Sequence, residues 1–154
     1  MSRETVLSCQ HVSRSFKLVN ETVDVLKDID FSIHRGEMAS IVGASGSGKT
    51  TLLNLLAGLD DPSDGKVLMV ERDVQSLSDR ERARLRNQHM GFVFQFHHLL
   101  PEFSALENVC MPAFIGGTSK SAAQKKGKEL LDYMGLSHRM EHKPNKMSGG
   151  EQQR

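Results

Sequence analysis

Eight consecutive residues, Gly43-Ala44-Ser45-Gly46-Ser47-Gly48-Lys49-Thr50, have the types and spacing needed to hold a phosphate. They fit G-x-x-x-x-G-K-[ST], the phosphate-binding P-loop, in which backbone N–H groups and a lysine surround the anion. Gly43, Gly46 and Gly48 are expected to take positive φ and to let a ligand approach the backbone with no Cβ in the way. Successive N–H groups then point at phosphate oxygens, and the helix that follows adds its positive end. Lys49 is placed to reach the β- and γ-phosphates of a nucleotide, and the Thr50 hydroxyl to ligate Mg2+.

Such a loop works only if a strand delivers it and a helix leaves it. Before it, Met38-Ala39-Ser40-Ile41-Val42 reads as a buried strand; after it, Thr51 to Ala57 reads as a helix. Thr5 to His11 is a further strand, and Ile29, Phe31 and Ile33 alternate with polar residues as a half-buried strand does. Asp60-Asp61-Pro62-Ser63-Asp64-Gly65 is a turn, and Lys66 to Val70 returns as a strand. Helices then take over. Capping boxes start at Ser78, Ser104 and Ser121, and Met90-Gly91-Phe92-Val93-Phe94 is an apolar strand between the first two. The helix from Ser121 is expected to bury Ala123, Leu130, Leu131 and Met134 and to stop at Gly135. The change of character falls near Gln95, which divides the chain into a nucleotide-binding core, 1–95, and a helical part, 96–154.

Bulk properties narrow the class. The chain has 154 residues, 38% hydrophobic, and a formal net charge of +1. No basic block interleaved with aromatics points to nucleic acid. No apolar run reaches membrane-spanning length, and Met1-Ser2-Arg3-Glu4 opens no signal peptide, so a cytoplasmic setting is expected. Cys9 and Cys110 lack zinc or redox spacing and read as reduced thiols.

Two further motifs carry a family resemblance. The chain ends in Met147-Ser148-Gly149-Gly150-Glu151-Gln152-Gln153-Arg154, which resembles the signature motif of ABC-transporter ATPases, and Gln95 resembles their Q-loop glutamine. The order P-loop, Q-loop, signature covers the whole chain. Gly91 to Gln95, Leu99-Leu100-Pro101, Ala105 to Val109 and the segment Leu18 to Leu26 resemble the branch serving lipoprotein release, macrolide-type efflux and the cell-division complex, lipoprotein release first among them.

The resemblance implies an α/β fold: a RecA-like P-loop NTPase core, an N-terminal antiparallel β subdomain and an inserted helical subdomain, incomplete at the C-terminus. It implies ATP and Mg2+ as ligands. Phe16 stands where the family stacks an aromatic on adenine, usually a tyrosine. Amides from Ser45 through Ser47 and Gly48 to Thr51 hold the phosphates, and Gln95 approaches Mg2+ and the attacking water. Ser148, Gly149 and Gly150 act on ATP held by an opposing ATPase subunit in a head-to-tail dimer. Phe96 to Phe103 meets integral membrane subunits, which places the protein at the cytoplasmic face of the inner membrane.

The family pattern also has a strand ending in Asp, then a catalytic Glu, after the signature helix. No residue follows Arg154, and no apolar run upstream ends in Asp-Glu. The expectation is a fragment of a longer ATPase that does not hydrolyse ATP by itself, leaves an unpaired apolar edge beside the P-loop strand, and carries a signature helix too short to stand alone. A non-catalytic nucleotide-binding fragment is the alternative; a P-loop kinase or GTPase lacks support, since no Asn-Lys-x-Asp tetrapeptide is present. His97-His98 and the pair His138 and His142 lack a third ligand and are not expected to bind metal. The charge run Asp79 to Arg86 reads as a solvated helix face, with Arg86 a weak candidate for a ligand contact.

Overall fold

The computed structural model describes residues 4–96 and 98–154. Met1 to Arg3 and His97 lie outside the described residues, and with them part of the N-terminal and His97-His98 readings. The chain forms two compact units, one through Arg86 and one from Asn87 to Arg154. That division falls earlier than Gln95.

The first unit is built on an antiparallel sheet in the order β2-β1-β3-β4, from β1 (Thr5–Lys17), β2 (Thr22–His34), β3 (Asp64–Met69) and β4 (Arg72–Asp73). β1 and β2 form a hairpin closed at its tip by the Leu18 N–H donating to Glu21 O at 2.8 Å. Cys9, Val12, Leu26, Val67 and Met69 of these strands are buried, and α1 (Lys49–Leu56) adds Leu52, Leu55 and Leu56 to the buried residues of this unit. Burial lifts the Cys9 thiol to a pKa of about 11, so it stays a neutral thiol at neutral pH. α2 (Asp79–His89) follows, capped by Ser78 and Glu81 in the expected capping box.

The charged face of α2 is less solvated than its composition implies. Arg82 is largely buried, with its guanidinium 2.8 Å from Asp61. Arg86 donates to Gly58 O at 2.7 Å, so it closes the end of the α1 turn and is spent on structure. Leu85 beside them is buried.

Two expected strands do not form. Residues 38–44 and 90–94 lie outside every strand of the described residues. Met38 is 99% exposed, Val42 86%, and Val93 is fully exposed. Apolar runs of this kind are strands of parallel sheets, buried on both faces and paired on both edges. The four strands present pair only among themselves, so these runs have no ladder to join. The expected unpaired edge thus becomes two extended apolar segments outside the sheet.

β3 and β4 are joined through Val70 and Glu71, both with positive φ, 48° and 61°. Tight hairpin turns of this hand favour Asn-Gly, because a Cβ at positive φ meets the neighbouring carbonyl. Glu71→Gly is therefore expected to stabilise the first unit by about 1 kcal/mol, read as a higher midpoint in urea unfolding.

The second unit packs α3 (Ala105–Ile115) against α4 (Lys120–Tyr133) around Leu106, Cys110, Ala123, Leu131 and Leu136. Gly127 allows the close approach: a Cβ there would lie 2.8 Å from Cys110 Sγ. The Ser104 capping box forms as expected. The third does not, because α4 is capped by Ser119, which accepts from Ala122 N–H, and starts at Lys120. Its core face is Ala123, Gly127 and Leu131, one residue every four; Leu130 and Met134 stand 44% and 39% exposed. The stop at Gly135, φ 71°, is as expected. A five-residue helix, α5 (Gly149–Gln153), ends the chain. Among the described residues, no helix is long and apolar enough to cross a membrane.

Candidate functional site: the phosphate loop and the signature turn

The phosphate loop lies in the first unit, and its last two residues already belong to α1. Gly46 and Gly48 take φ of 79° and 87°; Gly43 does not, and so departs from the expectation for all three glycines. Gly43 instead stays small because a Cβ would lie 2.6 Å from Ser47 Oγ. Gly48 is the N-cap of α1 and rests on β2, where a Cβ would meet Val25 Cγ1 at 2.9 Å and Leu26 Cδ2 at 3.0 Å. The hairpin therefore fixes where the loop turns.

The donors fit a polyanion. Ser47 N–H is used within the loop, on Ala44 O at 3.3 Å, and Leu52 N–H donates to Gly48 O. The N–H groups of Ser45, Gly46 and Gly48 and of the first α1 turn, Lys49 to Thr51, have no partner among the described residues. Unpaired donors at the start of a helix, with no side-chain cap, form an anion cradle. The Lys49 ammonium lies over the same loop, donating to Gly43 O at 2.9 Å and Ala44 O at 2.6 Å. A residue added at Gly46 would meet nothing within 4 Å, so the space in front of the loop is open. The residues present fit a nucleotide phosphate chain.

Phe16 sits at the same end of the hairpin. It pairs with Val23, two residues along β2 from Val25, which is about 7 Å along the strand. Arg14 lies over one face of its ring at 4.6 Å from the centroid. The ring is part exposed, which leaves it a face for a flat partner.

In the second unit, Gln95 is exposed and outside any helix or strand, just after the stacked rings of Phe92 and Phe94, 5.5 Å apart. The following segment is also exposed: Phe96 70%, Leu100 42%. Its shape is set by Asn108, a residue whose role the sequence did not reveal. The Asn108 amide donates to Leu100 O, Phe103 O and Ser104 O, and its oxygen accepts from Leu100 N–H at 2.8 Å. The signal that could have found it is a polar residue in the first turn of a helix entered from a Pro-containing loop.

The signature residues form the start of α5. Ser148 is its N-cap, with Oγ accepting from Glu151 N–H at 3.3 Å, while Glu151 Oε2 accepts from Ser148 N–H at 2.7 Å. Glu151 Oε1 accepts from Arg139 Nε at 2.8 Å. Gln152 ties the turn back to Pro144 O and Met147 O. Added carbons at Gly149 and Gly150 would meet nothing, so no packing within the chain requires glycine there.

The Ser148 amide, and then Arg139, hold the Glu151 carboxyl at a pKa of about 2. Its ionised form therefore holds the turn at every pH above the unfolded value, 4.5, and the contribution disappears as pH falls from there towards 2. Protection of the Ser148 and Gln152 amides from hydrogen exchange is expected to drop across that window, and to be flat in Glu151→Gln.

His138 lies near Glu151 Oε1, at 3.8 Å, and belongs to the signature turn. A group not singled out in the sequence, His11 with Asp28 and Asp30, gathers on the β1–β2 bulge, with His11 Nδ1 2.8 Å from Asp28. These residues are exposed, and the hydrogen bond to Asp28 followed by the charge of Asp30 raises the His11 pKa. The three form a surface ion-pair cluster that fastens the bulge.

A P-loop at the head of a helix, seated on an antiparallel hairpin, and a capped Ser-Gly-Gly turn in a helical unit define a nucleotide-binding protein of the P-loop class. The profile of the ABC transporter family matches residues 26–154. Two proteins named lipoprotein-releasing system ATP-binding protein LolD, from Pseudomonas fluorescens and Pseudomonas syringae pv. tomato, are each 51% identical over 154 residues, which is 100% of this chain and 68% of theirs. Among solved structures, a dimeric bacterial ABC transporter cassette and a dimeric post-hydrolysis cassette bound to ADP and phosphate superpose at TM-score 0.85 with 36% identity. Each match covers 95% of this chain and 65% of the other. The chain belongs to the ABC transporter family and carries its ATP-binding domain over about two thirds of the length of those relatives. The likeness to cassettes of this fold agrees with the expected α/β architecture and its antiparallel β subdomain.

Proposed function

We propose that this chain is the nucleotide-binding part of an ABC-transporter ATPase that energises release of lipoproteins from the inner membrane. The observation that carries ATP binding is the set of unpartnered N–H donors of Ser45, Gly46 and Gly48 to Thr51 beneath the Lys49 ammonium. The 51% identity to lipoprotein-releasing ATP-binding proteins supports the choice of transport system.

In this reading the amides and Lys49 bind the phosphates, and the free face of Phe16 takes adenine. Thr50 and Gln95 are the residues to hold Mg2+, which when bound neutralises charge on the phosphates. Gln95 also orients the attacking water. Ser148, Gly149 and Gly150 present their capped turn to ATP on a second subunit, with Glu151 and Arg139 keeping that turn in shape. Phe96 to Phe103, shaped by Asn108, docks the membrane subunits. In this reading the chain divides functionally into a phosphate-binding core up to Gln95 and a helical signature part after it.

Positioning of water and charge is nearly all of phosphoryl-transfer catalysis. The 154 residues hold no Asp-Glu pair at the end of an apolar strand. The purified 154-residue chain is therefore expected to bind ATP and ADP in calorimetry, to bind AMP far more weakly, and to show no turnover. Turnover that Lys49→Ala abolishes would overturn the catalytic part of the reading. Co-expression with the membrane subunits of a lipoprotein-releasing system tests the rest. Phe96→Asp with Leu100→Asp is expected to weaken binding to those subunits by about 10²-fold or more, as loss of two buried apolar contacts does, while ATP binding stays unchanged. Capture by efflux or cell-division membrane subunits instead would reassign the transport system.

A further inference from the structure

Phe16 is the last but one residue of β1, close to the tip of the hairpin. In the ladder β1 pairs with β3 only as far as Ser13, so Arg14 to Lys17 have β2 alone as a neighbouring strand. A two-stranded end of this kind is marginal by itself. The turn that follows α1 ties it down. Ser63 N–H donates to Ser13 O at 2.8 Å, and Ser63 Oγ accepts from Ser15 N–H at 3.0 Å.

Between those two ties, Arg14 reaches Asp60, its Nη2 donating to Oδ1 at 3.0 Å. Asp60 is itself fixed. Its Oδ1 also accepts from Asp61 N–H at 2.8 Å, and the preceding Leu59 N–H donates to Asn54 O of α1 at 2.9 Å. Arg14 Cζ in turn lies 4.6 Å from the centroid of the Phe16 ring, within range for a ring to attract a cation over its face. Arg14 Nε is buried with no hydrogen-bond partner among the described residues. The side chain is therefore held by Asp60 at one nitrogen and by the ring. One series of contacts runs from the helix that opens in the phosphate loop, through Asp60 and Arg14, to Phe16.

We propose that Arg14 is a positioning residue for the base of the nucleotide: anchored by Asp60, its guanidinium fixes the Phe16 ring in place relative to the phosphate loop before the base arrives, with the opposite face left for stacking. The inference rests on the reading that Phe16 stacks adenine. A side chain already fixed in its bound position lowers the ordering cost of binding, and the loop and the ring then meet the two ends of one ligand at a set separation.

The test is calorimetric titration of the 154-residue chain with ATP and with inorganic tripolyphosphate, which has the phosphates and no base. Phe16→Ala is expected to weaken ATP by about tenfold and to leave tripolyphosphate unchanged. Arg14→Ala is expected to weaken ATP by about threefold to tenfold, again sparing tripolyphosphate. Arg14→Gln, which keeps a polar side chain beside Asp60, is expected to do the same and is read where Arg14→Ala lowers the urea midpoint. In the Phe16→Ala background neither Arg14 change is expected to have a further effect, because Arg14 acts through the ring. If Phe16→Ala weakens ATP and the Arg14 variants do not, the proposal fails and the stacking reading stands. If Phe16→Ala leaves ATP affinity unchanged, both fail. Equal losses on ATP and tripolyphosphate, or a loss from the Arg14 variants that persists without the ring, would mean that Arg14 does not act through Phe16. Tighter ATP binding in those variants would mean that the guanidinium covers the face the base needs. Each of these outcomes overturns the proposal.

Discussion

Lys49→Ala is expected to lower ATP affinity by about 10²-fold or more while leaving the fold intact. The ammonium supplies charge-assisted hydrogen bonds to phosphate, each worth about 1.5–3 kcal/mol, and two of them amount to two to four powers of ten. Its present partners, Gly43 O and Ala44 O, belong to the exposed loop, so their loss frees the loop without opening the core. Calorimetric titration with ATP and with ADP measures the effect, and urea unfolding supplies the control. Affinity within threefold of the parent chain would mean that the unpaired amides alone hold the anion, or that the anion binds elsewhere.

The largest stability effect is expected at Gly65. It is the second residue of β3, with φ 82°, and a Cβ there would lie 2.3 Å from His11 O, 2.4 Å from His11 C and 2.5 Å from Gln10 O. All three atoms are backbone of the neighbouring strand, so no rotamer change relieves the clash. Gly65→Ala must push β3 away from β1, at the bulge between the Gln10–Lys66 and Ser13–Asp64 pairs. The expected loss is about 3–5 kcal/mol, the range reserved for changes that break a packed backbone arrangement. Gly36→Ala is the comparison: φ is 81° there too, yet nothing lies within 4 Å. It should cost only the left-handed penalty, about 1 kcal/mol. Equal urea midpoints for the two variants would show that the close approach at His11 is not maintained in solution.

Local signals are legible in the sequence where neighbouring residues settle the outcome. The capping boxes at Ser78 and Ser104 and the stop at Gly135 depend on contacts within a few residues, and they form. The antiparallel strands were legible from alternation because one face is buried and the other wet. Ser119 rather than Ser121 caps α4: its Oγ accepts from Ala122 N–H, so the helix starts two residues earlier, with Ala123, Gly127 and Leu131 on its buried face. The brevity of α5 argued against it, yet Arg139, Pro144 and Met147, all outside the helix, provide the ties its length cannot.

The sequence alone determined the chemistry of the phosphate loop, because that chemistry lies in eight adjacent residues, and it determined family membership, because three motifs keep their order. Tertiary structure decided everything that depends on partners distant in sequence. It left the apolar runs 38–44 and 90–94 outside the sheet because a strand is made by its neighbours and not by its own residues. It turned Arg86 from a possible ligand contact into a clamp on Gly58 and gave Asn108 its hold on the turn from Leu100 to Ser104.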